Sequence, residues 1–292
     1  MPVQTPLLEQ QVSNVSATAF ITLFARARET QSAHPVVDDP QAVALVEQLL
    51  PALAQSDRDL CRRLAAGKLE PMVVVTVSQR ARCFDRHVRA FCASHPDAVI
   101  VNLGCGLDTR FFRVDDGQMI FYDLDLPAMI DLKRTLVSEQ PRYRFIACSV
   151  LDSAWMDALA ELGDRPFLFL AEGLFMYLRP EDVQGLVVAL THRFPGSELV
   201  CEVFNNFWLR EPWKGWVNRK MQRRLGFSAD AGFQSGVDNE RHFEAWDPAI
   251  HFLDDWAYYD DEEPKLRGLN WMRHVQFLRH MQWTVHYQLG NA

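Results

Sequence analysis

Apolar side chains at Ala17, Phe20, Ile21 and Phe24 recur at the i, i+3, i+4, i+7 spacing of one helix face, behind the capping candidates Ser13 and Asn14. This pattern predicts an amphipathic helix, with Arg26 and Arg28 near its end. Asp39 as N-cap, with Pro40 at the first helical position, announces a second helix whose apolar side is Val43, Val46, Leu49 and Leu50. A third begins near Ser78, turns Phe84, Val88, Phe91 and Cys92 inward, and carries Arg80 and Arg82 in its first turns. Residues 1–97 therefore read as a helical cap.

From Ala98 the period changes. The runs AVIVNLG, QMIFYDLD, YRFIACS, PFLFLAEG, ELVCEVF and WTVHYQLG are short, apolar and β-rich, and they alternate with the helical stretches PAMIDLKRTLV, SAWMDALAEL and PEDVQGLVVALTHRF. Strands buried on both faces read as continuous apolar runs, and strand–helix alternation builds a parallel, doubly wound sheet. The expectation is an α/β, Rossmann-like core over 98–204 and 247–292, whose last strand, 283–290, enters antiparallel after the helix-like LNWMRHVQFLRHM. Residues 205–246 break the rhythm with Phe207, Trp208, Trp213, Trp216, Phe227, Phe233 and Trp246. They read as a helical, aromatic-rich lid inserted into one structural domain.

Composition narrows the class. The chain has 292 residues, 48% of them hydrophobic, with 30 basic against 38 acidic side chains and a formal charge of −8. A chain this long buries roughly 75% of its unfolded surface and needs no disulfide or metal staple. The acidic balance weighs against nucleic acid, since the basic clusters Arg62-Arg63 and Arg223-Arg224 are too short to track phosphates. Six cysteines without a Cys-x-x-Cys pair, and nine histidines without zinc spacing, read as reduced thiols and no metal site. There is neither a signal-peptide pattern nor an apolar run of about 20 residues, so the expectation is a cytoplasmic protein without a membrane partner.

The first core strand runs into Gly104-Cys105-Gly106-Leu107-Asp108-Thr109-Arg110. Glycines there let the backbone turn sharply and approach a ligand at the carboxyl ends of the strands. Thr109 occupies the third-glycine position of a dinucleotide fingerprint, so a cofactor without phosphates fits better than a pyrophosphate. Asp123 and Asp125 end the second strand, where a nucleoside site wants a carboxylate for the ribose, and Pro127 places Asp125 nearer the tip. The alternative is that one of them caps the next helix. Glu172, ending the fourth strand beside the glycine loop, is a further candidate.

The segments SATAFITLFARARE, DDPQA, QRARCFD, VNLGCGLDTRFFR, FYDLDLPAMIDLKR and FLAEGLFMYL occur in this order, within residues 13 to 204. Together they resemble the leucine carboxyl methyltransferase family, in particular its bacterial branch of polyketide O-methyltransferases. The resemblance implies a class I methyltransferase that uses S-adenosylmethionine, with a mostly parallel seven-stranded sheet and an antiparallel last strand. It also implies that Gly104, Cys105 and Gly106 lie under the cofactor, that Asp125 and Leu126 meet the ribose, and that Glu172 sits near the methionyl end. Arg80 matches the arginine that pairs with the cofactor's carboxylate; the alternative is a solvated helix-face arginine. Ser149 stands where the family commonly has an acidic residue for adenine, so Ser149 and Val150 share that position with a weaker, neutral partner.

A carboxylate acceptor is already ionised at neutral pH and needs a positive clamp instead of a catalytic base. Arg82 and Arg110 are the candidates, although Arg110 has Asp108 and Asp125 as plausible salt-bridge partners. A phenol acceptor would want a base, for which Tyr177 and His242 come into view. The aromatic insertion suits a planar, polyketide-like acid, or packs as a lid or dimer contact; the oligomeric state stays open, a homodimer included. Two other classes remain: a non-catalytic S-adenosylmethionine-binding regulator, and an NAD(P)-linked oxidoreductase.

Overall fold

The structure is a computed structural model that describes residues 11, 18–215, 219 and 232–290. Ser13, Asn14, Ala17, Trp216 and Phe227 lie outside the described residues. The chain opens with α1 (Thr18–Thr30), α2 (Pro40–Gln55), α3 (Asp59–Ala65) and α4 (Pro71–Ser94). Asp39 caps α2 by accepting the Ala42 amide at 3.0 Å, and Pro40 takes the first helical position. The buried side of α2 is Ala42, Leu45, Leu49, Ala52 and Leu53, so Val43, Val46 and Leu50 sit at its margin. Pro71 starts α4 seven residues before Ser78, and Phe84, Val88, Phe91 and Cys92 do point inward.

The core then alternates: β1 (Val99–Leu103), α5 (Arg110–Val114), β2 (Ile120–Asp125), α6 (Pro127–Leu136), β3 (Tyr143–Ala147), α7 (Ala154–Ala160), β4 (Phe167–Ala171), α8 (Pro180–Arg193) and β5 (Ser197–Phe204). After the region read as an insertion come β6 (Ile250–Ala257), the short α9 (Gln276–Arg279) and β7 (Gln282–Leu289). The seven strands form one sheet in the order β3-β2-β1-β4-β5-β7-β6. The first five strands are parallel and β7 runs antiparallel to both neighbours. This is the doubly wound, mostly parallel sheet with an antiparallel last strand that the sequence predicts.

One strand went unread in the sequence. β6 is an edge strand with a bulge between Phe252 and Asp254, and an extra residue there breaks the alternation by which strands are recognised. The helix-like stretch before β7 divides between the end of a 3₁₀ segment, Pro264–His274, and the short α9.

Alternation along β1 sends Ile100 to one side of the sheet and Val99, Val101 and Leu103 to the other. On the first side Phe20, Leu45, Phe84, Leu168 and Val200 join helices α1, α2 and α4 to the sheet. On the other, Phe169, Val187, Leu199 and Trp283 pack α7 and α8. The chain adds β2 and β3 to one flank of β1 and then crosses to β4 on the other. That reversal opens a crevice at the carboxyl ends of β1 and β4, where open α/β sheets bind their ligands. All six cysteines are free thiols, and no helix among the described residues is long and apolar enough to cross a membrane.

Candidate active site

A cavity of about 690 Å³ lies in that crevice. Arg80, Gly104, Cys105, Gly106, Asp125, Leu126, Glu172 and Tyr177 all line it. Gly104 and Gly106 hold φ of 63° and 51°, left-handed values that glycine adopts without strain. A Cβ on Gly104 would stand 2.7 Å from Leu174 Cδ1, so the loop also needs the missing side chain for room. Asp125 Oδ2 accepts the Gly106 amide at 2.7 Å and Oδ1 the Leu126 amide at 2.7 Å, tying the glycine loop to the tip of β2. Burial pushes the Asp125 carboxyl above its ordinary value, against the pull of those two amides. A carboxylate has about four acceptor positions, so capacity remains for a ligand hydroxyl.

Asp123 has a different environment. It is buried against Lys133 Nζ at 2.6 Å, Tyr143 Oη at 2.5 Å and Asn102 Nδ2 at 2.9 Å, away from the cavity. Neither aspartate serves as the side-chain cap of α6, whose N-cap is Leu126.

Arg80 projects from α4 into the cavity wall and is held by two carboxylates, Glu172 through Nε at 2.8 Å and Glu202 through Nη1 at 2.8 Å. Nη2 has no hydrogen-bond partner among the described residues. Gly173, with φ of 65°, leaves space beside the guanidinium, 3.6 Å from where its Cβ would be. Burial opposes ionisation of Glu172, but Arg80 and Arg110 overcome it and hold the carboxyl below its ordinary value. Glu202 in turn accepts from Tyr258 Oη and, at 2.7 Å, from Gln282 Nε2.

These contacts belong to a larger buried network. Arg110 donates to Asp85 at 2.8 Å, Asp108 at 2.5 Å and Glu172 at 2.5 Å. Arg113 binds Asp85 and Asp39, at 2.7 and 2.6 Å, and Arg26 binds Asp39 at 2.9 Å. Four guanidiniums thus face five carboxylates, Asp39, Asp85, Asp108, Glu172 and Glu202, leaving one negative charge in excess. Thr109, at the third-glycine position, donates its hydroxyl to Asp39 at 2.6 Å, a bond that glycine lacks.

Two candidate clamps lie elsewhere. Arg110 is 1% exposed, lines no part of the cavity and has its side-chain nitrogens committed to carboxylates; Asp108 is among its partners and Asp125 is not. Arg82 faces Asp261 at 3.1 Å and Glu263 at 3.8 Å. It is two residues from Arg80, and a helix turns by about 200° over that interval, so the two arginines point apart. Ser149 and Val150 also lie outside the cavity lining: the Ser149 hydroxyl accepts the Leu151 amide, and the Val150 carbonyl accepts from Trp155 Nε1. His242 lines a separate apolar cavity of about 370 Å³.

Sequence reasoning missed Asp39 and Asp85 as ion-pair hubs, together with Arg113, Glu202 and Tyr258. The first three stand inside the segments quoted for the resemblance, and Glu202 was the one charge inside the apolar run LVCEVF.

The cofactor that the resemblance implies is cationic overall, with a carboxylate at its methionyl end. The site suits it: the network has an excess of negative charge, Arg80 presents an open guanidinium nitrogen, and the glycine loop leaves a side-chain-free approach.

Comparison with known proteins agrees. The model of the leucine carboxyl methyltransferase family matches residues 19–191. The tetracenomycin polyketide synthesis O-methyltransferase TcmP of Streptomyces glaucescens is 32% identical over 251 residues, 86% of this chain and 85% of that protein. The S-adenosyl-L-methionine-dependent methyltransferase dpfgK of Gibberella zeae is 29% identical over 200 residues, 66% of this chain and 65% of that one. The chain belongs to the leucine carboxyl methyltransferase family and is an S-adenosylmethionine-dependent methyltransferase with a class I, Rossmann-like fold.

Proposed function

We propose that this methyltransferase esterifies a carboxylate of a small, largely apolar acid, of the kind a polyketide pathway supplies. The observation that carries the reading is the chemistry of the cavity wall. Beyond the glycine loop it includes Met176, Phe233, Tyr259, Met272, Leu278 and Met281 beside the polar Thr76, Gln234, Arg279 and Gln282, and no imidazole lines it among the described residues. Burial pushes the hydroxyls of Tyr177, Tyr258 and Tyr259 up, so they stay protonated at neutral pH and are poor bases. A carboxylate, ionised above a pKa of about 4, needs none. The family's description, carboxyl methyltransferase, supports a carboxylate, and the name of the Streptomyces relative supports methylation at oxygen in polyketide synthesis.

S-adenosylmethionine, when bound, supplies an electrophilic methyl group on a sulfonium. The residues here bind and orient. Arg80 Nη2 holds the cofactor's carboxylate, and Glu172 and Glu202 fix the guanidinium plane. Asp125 and Leu126 would meet the ribose, and Gly104, Cys105 and Gly106 would form the floor; Ser149 and Val150, outside the cavity lining, are assigned no contact. The apolar part of the wall would orient the acceptor towards the cofactor's methyl group and keep water out. In this reading the helical cap over 1–97 and the aromatic segment 205–246 close the site on the core formed by 98–204 and 247–292.

The test is methyl transfer to matched pairs of aromatic acids and phenols, followed across pH 6 to 8. A carboxylate acceptor gives a flat profile because it is fully ionised throughout. A steep rise with pH, or transfer to phenols alone, refutes the reading.

A further inference from the structure

The bulge in β6 has a chemical consequence on the α4 side of the sheet. In regular register Leu253 would follow the Phe252–Tyr287 pair and face His286; the bulge instead sets Asp254 opposite His286. Bulges at sheet edges commonly re-aim a side chain in this way. His87 of α4 comes down on the same spot, its ring meeting that of His286 edge to face at 4.9 Å between centroids.

We infer that His87, Asp254 and His286 form a binding site for a divalent transition cation of the zinc class. One ligand atom from each residue lies within 4.8 Å of the other two, close enough for a small movement to bring all three onto one ion. Two imidazoles and a carboxylate are a donor set for zinc and its neighbours, whereas magnesium prefers oxygen ligands alone. The surroundings support ligation. His286 Nε2 lies 2.7 Å from Glu198 Oε2, and Nδ1 lies 3.3 Å from Asp254. A carboxylate on the far nitrogen is the arrangement that orients a metal-binding histidine and fixes its tautomer. His87 has no hydrogen-bond partner among the described residues, and Asp254 is exposed, which leaves an entry path and a position for water. None of the three lines the cofactor cavity, so the ion would clip the edge strand to β7 and α4 and take no part in methyl transfer.

The experiment is calorimetric titration of the EDTA-treated full chain with Zn²⁺, with Mg²⁺ in parallel, repeated on Asp254→Asn and His87→Phe. Asp254 is exposed, so its variant tests ligation without disturbing the core. The expected result is one zinc per chain and no magnesium binding. Each variant should bind zinc at least tenfold more weakly and lose the zinc-induced rise in Tm, with S-adenosylhomocysteine affinity unchanged. Absence of zinc binding to the wild type, or equal affinity in the wild type and both variants, overturns the inference.

Discussion

Arg110 holds the oxygen of Glu172 that Arg80 leaves free: Nη2 of Arg110 meets Oε2 at 2.5 Å, while Nε of Arg80 meets Oε1 at 2.8 Å. The arginine at the cofactor cavity is therefore positioned by one that never touches it. Removing one member of a buried ion cluster leaves its partners uncompensated, at a cost of about 3–5 kcal/mol. Arg110→Met is expected to lose that much stability, read as a lower urea midpoint. A variant of normal stability would mean that Asp85, Asp108 and Glu172 are neutralised some other way.

Acid should act on the same cluster. Burial opposes ionisation of Asp39 and Glu172, yet their arginines hold both carboxyls below the ordinary values of 3.8 and 4.5. For depressed carboxylates the stabilisation is full above the unfolded pKa and is lost as pH falls through the folded one. The unfolding free energy is expected to be level near pH 6 and to drop below about pH 4, measured by urea titration at successive pH values. Arg110→Met should flatten that drop.

Asp123 and Asp125 should fail in different ways. Asp125→Ala is expected to weaken S-adenosylhomocysteine binding at least tenfold, about 1.4 kcal/mol, with a smaller loss of stability from the two loop amides it leaves unpaired. Asp123→Ala removes the carboxylate partner of the fully buried Lys133 and should destabilise the fold first. Calorimetric titration beside thermal melts separates the two, and exchanged phenotypes would move the ribose role to Asp123.

Arg80→Ala should raise the cofactor Kd and, since it leaves the buried Glu202 with only the neutral donors Tyr258 and Gln282, also lower stability; affinity is therefore read on the folded fraction, at a temperature below the variant's melting transition. Normal affinity in a folded variant would show that Arg80 only braces the cavity wall.

Gly104→Ala tests the loop. A left-handed non-glycine residue costs about 1–2 kcal/mol, and the new methyl would push Leu174, which lines the cavity, out of its place. Both stability and cofactor affinity are expected to fall; an unaffected affinity would put the cofactor farther from the loop.

What the sequence disclosed, and what it withheld, follows from the range of each signal. Gly104, Asp125 and Glu172 were legible because they end apolar strands, and strand ends in this topology converge on one crevice. Of the partners of Arg110, the near one, Asp108, was legible; Asp85 and Glu172 were not, because they lie 25 and 62 residues away and spacing carries no information over such distances. Asp39 was legible as a helix cap, which it is, but its second oxygen also serves Arg26, Thr109 and Arg113. Arg82 looked equivalent to Arg80 in sequence, and only the rotation of α4 separates them.

The ion network crosses between the N-terminal helices and the sheet, and this bears on how the protein can be divided. Arg26 donates to the Leu107 carbonyl, and Asp39 and Asp85 receive Arg110 and Arg113 from the first turn beyond β1. A fragment beginning at residue 98 would keep those two arginines with Asp108 and Glu172, but lose Asp39 and Asp85, and with them the partners that hold Arg113 most closely. The Rossmann-like unit is thus a topological description here and not a folding unit: cap and sheet are expected to melt in one cooperative transition, and a graft of the core alone would inherit naked charge where the native chain has a lattice of ions.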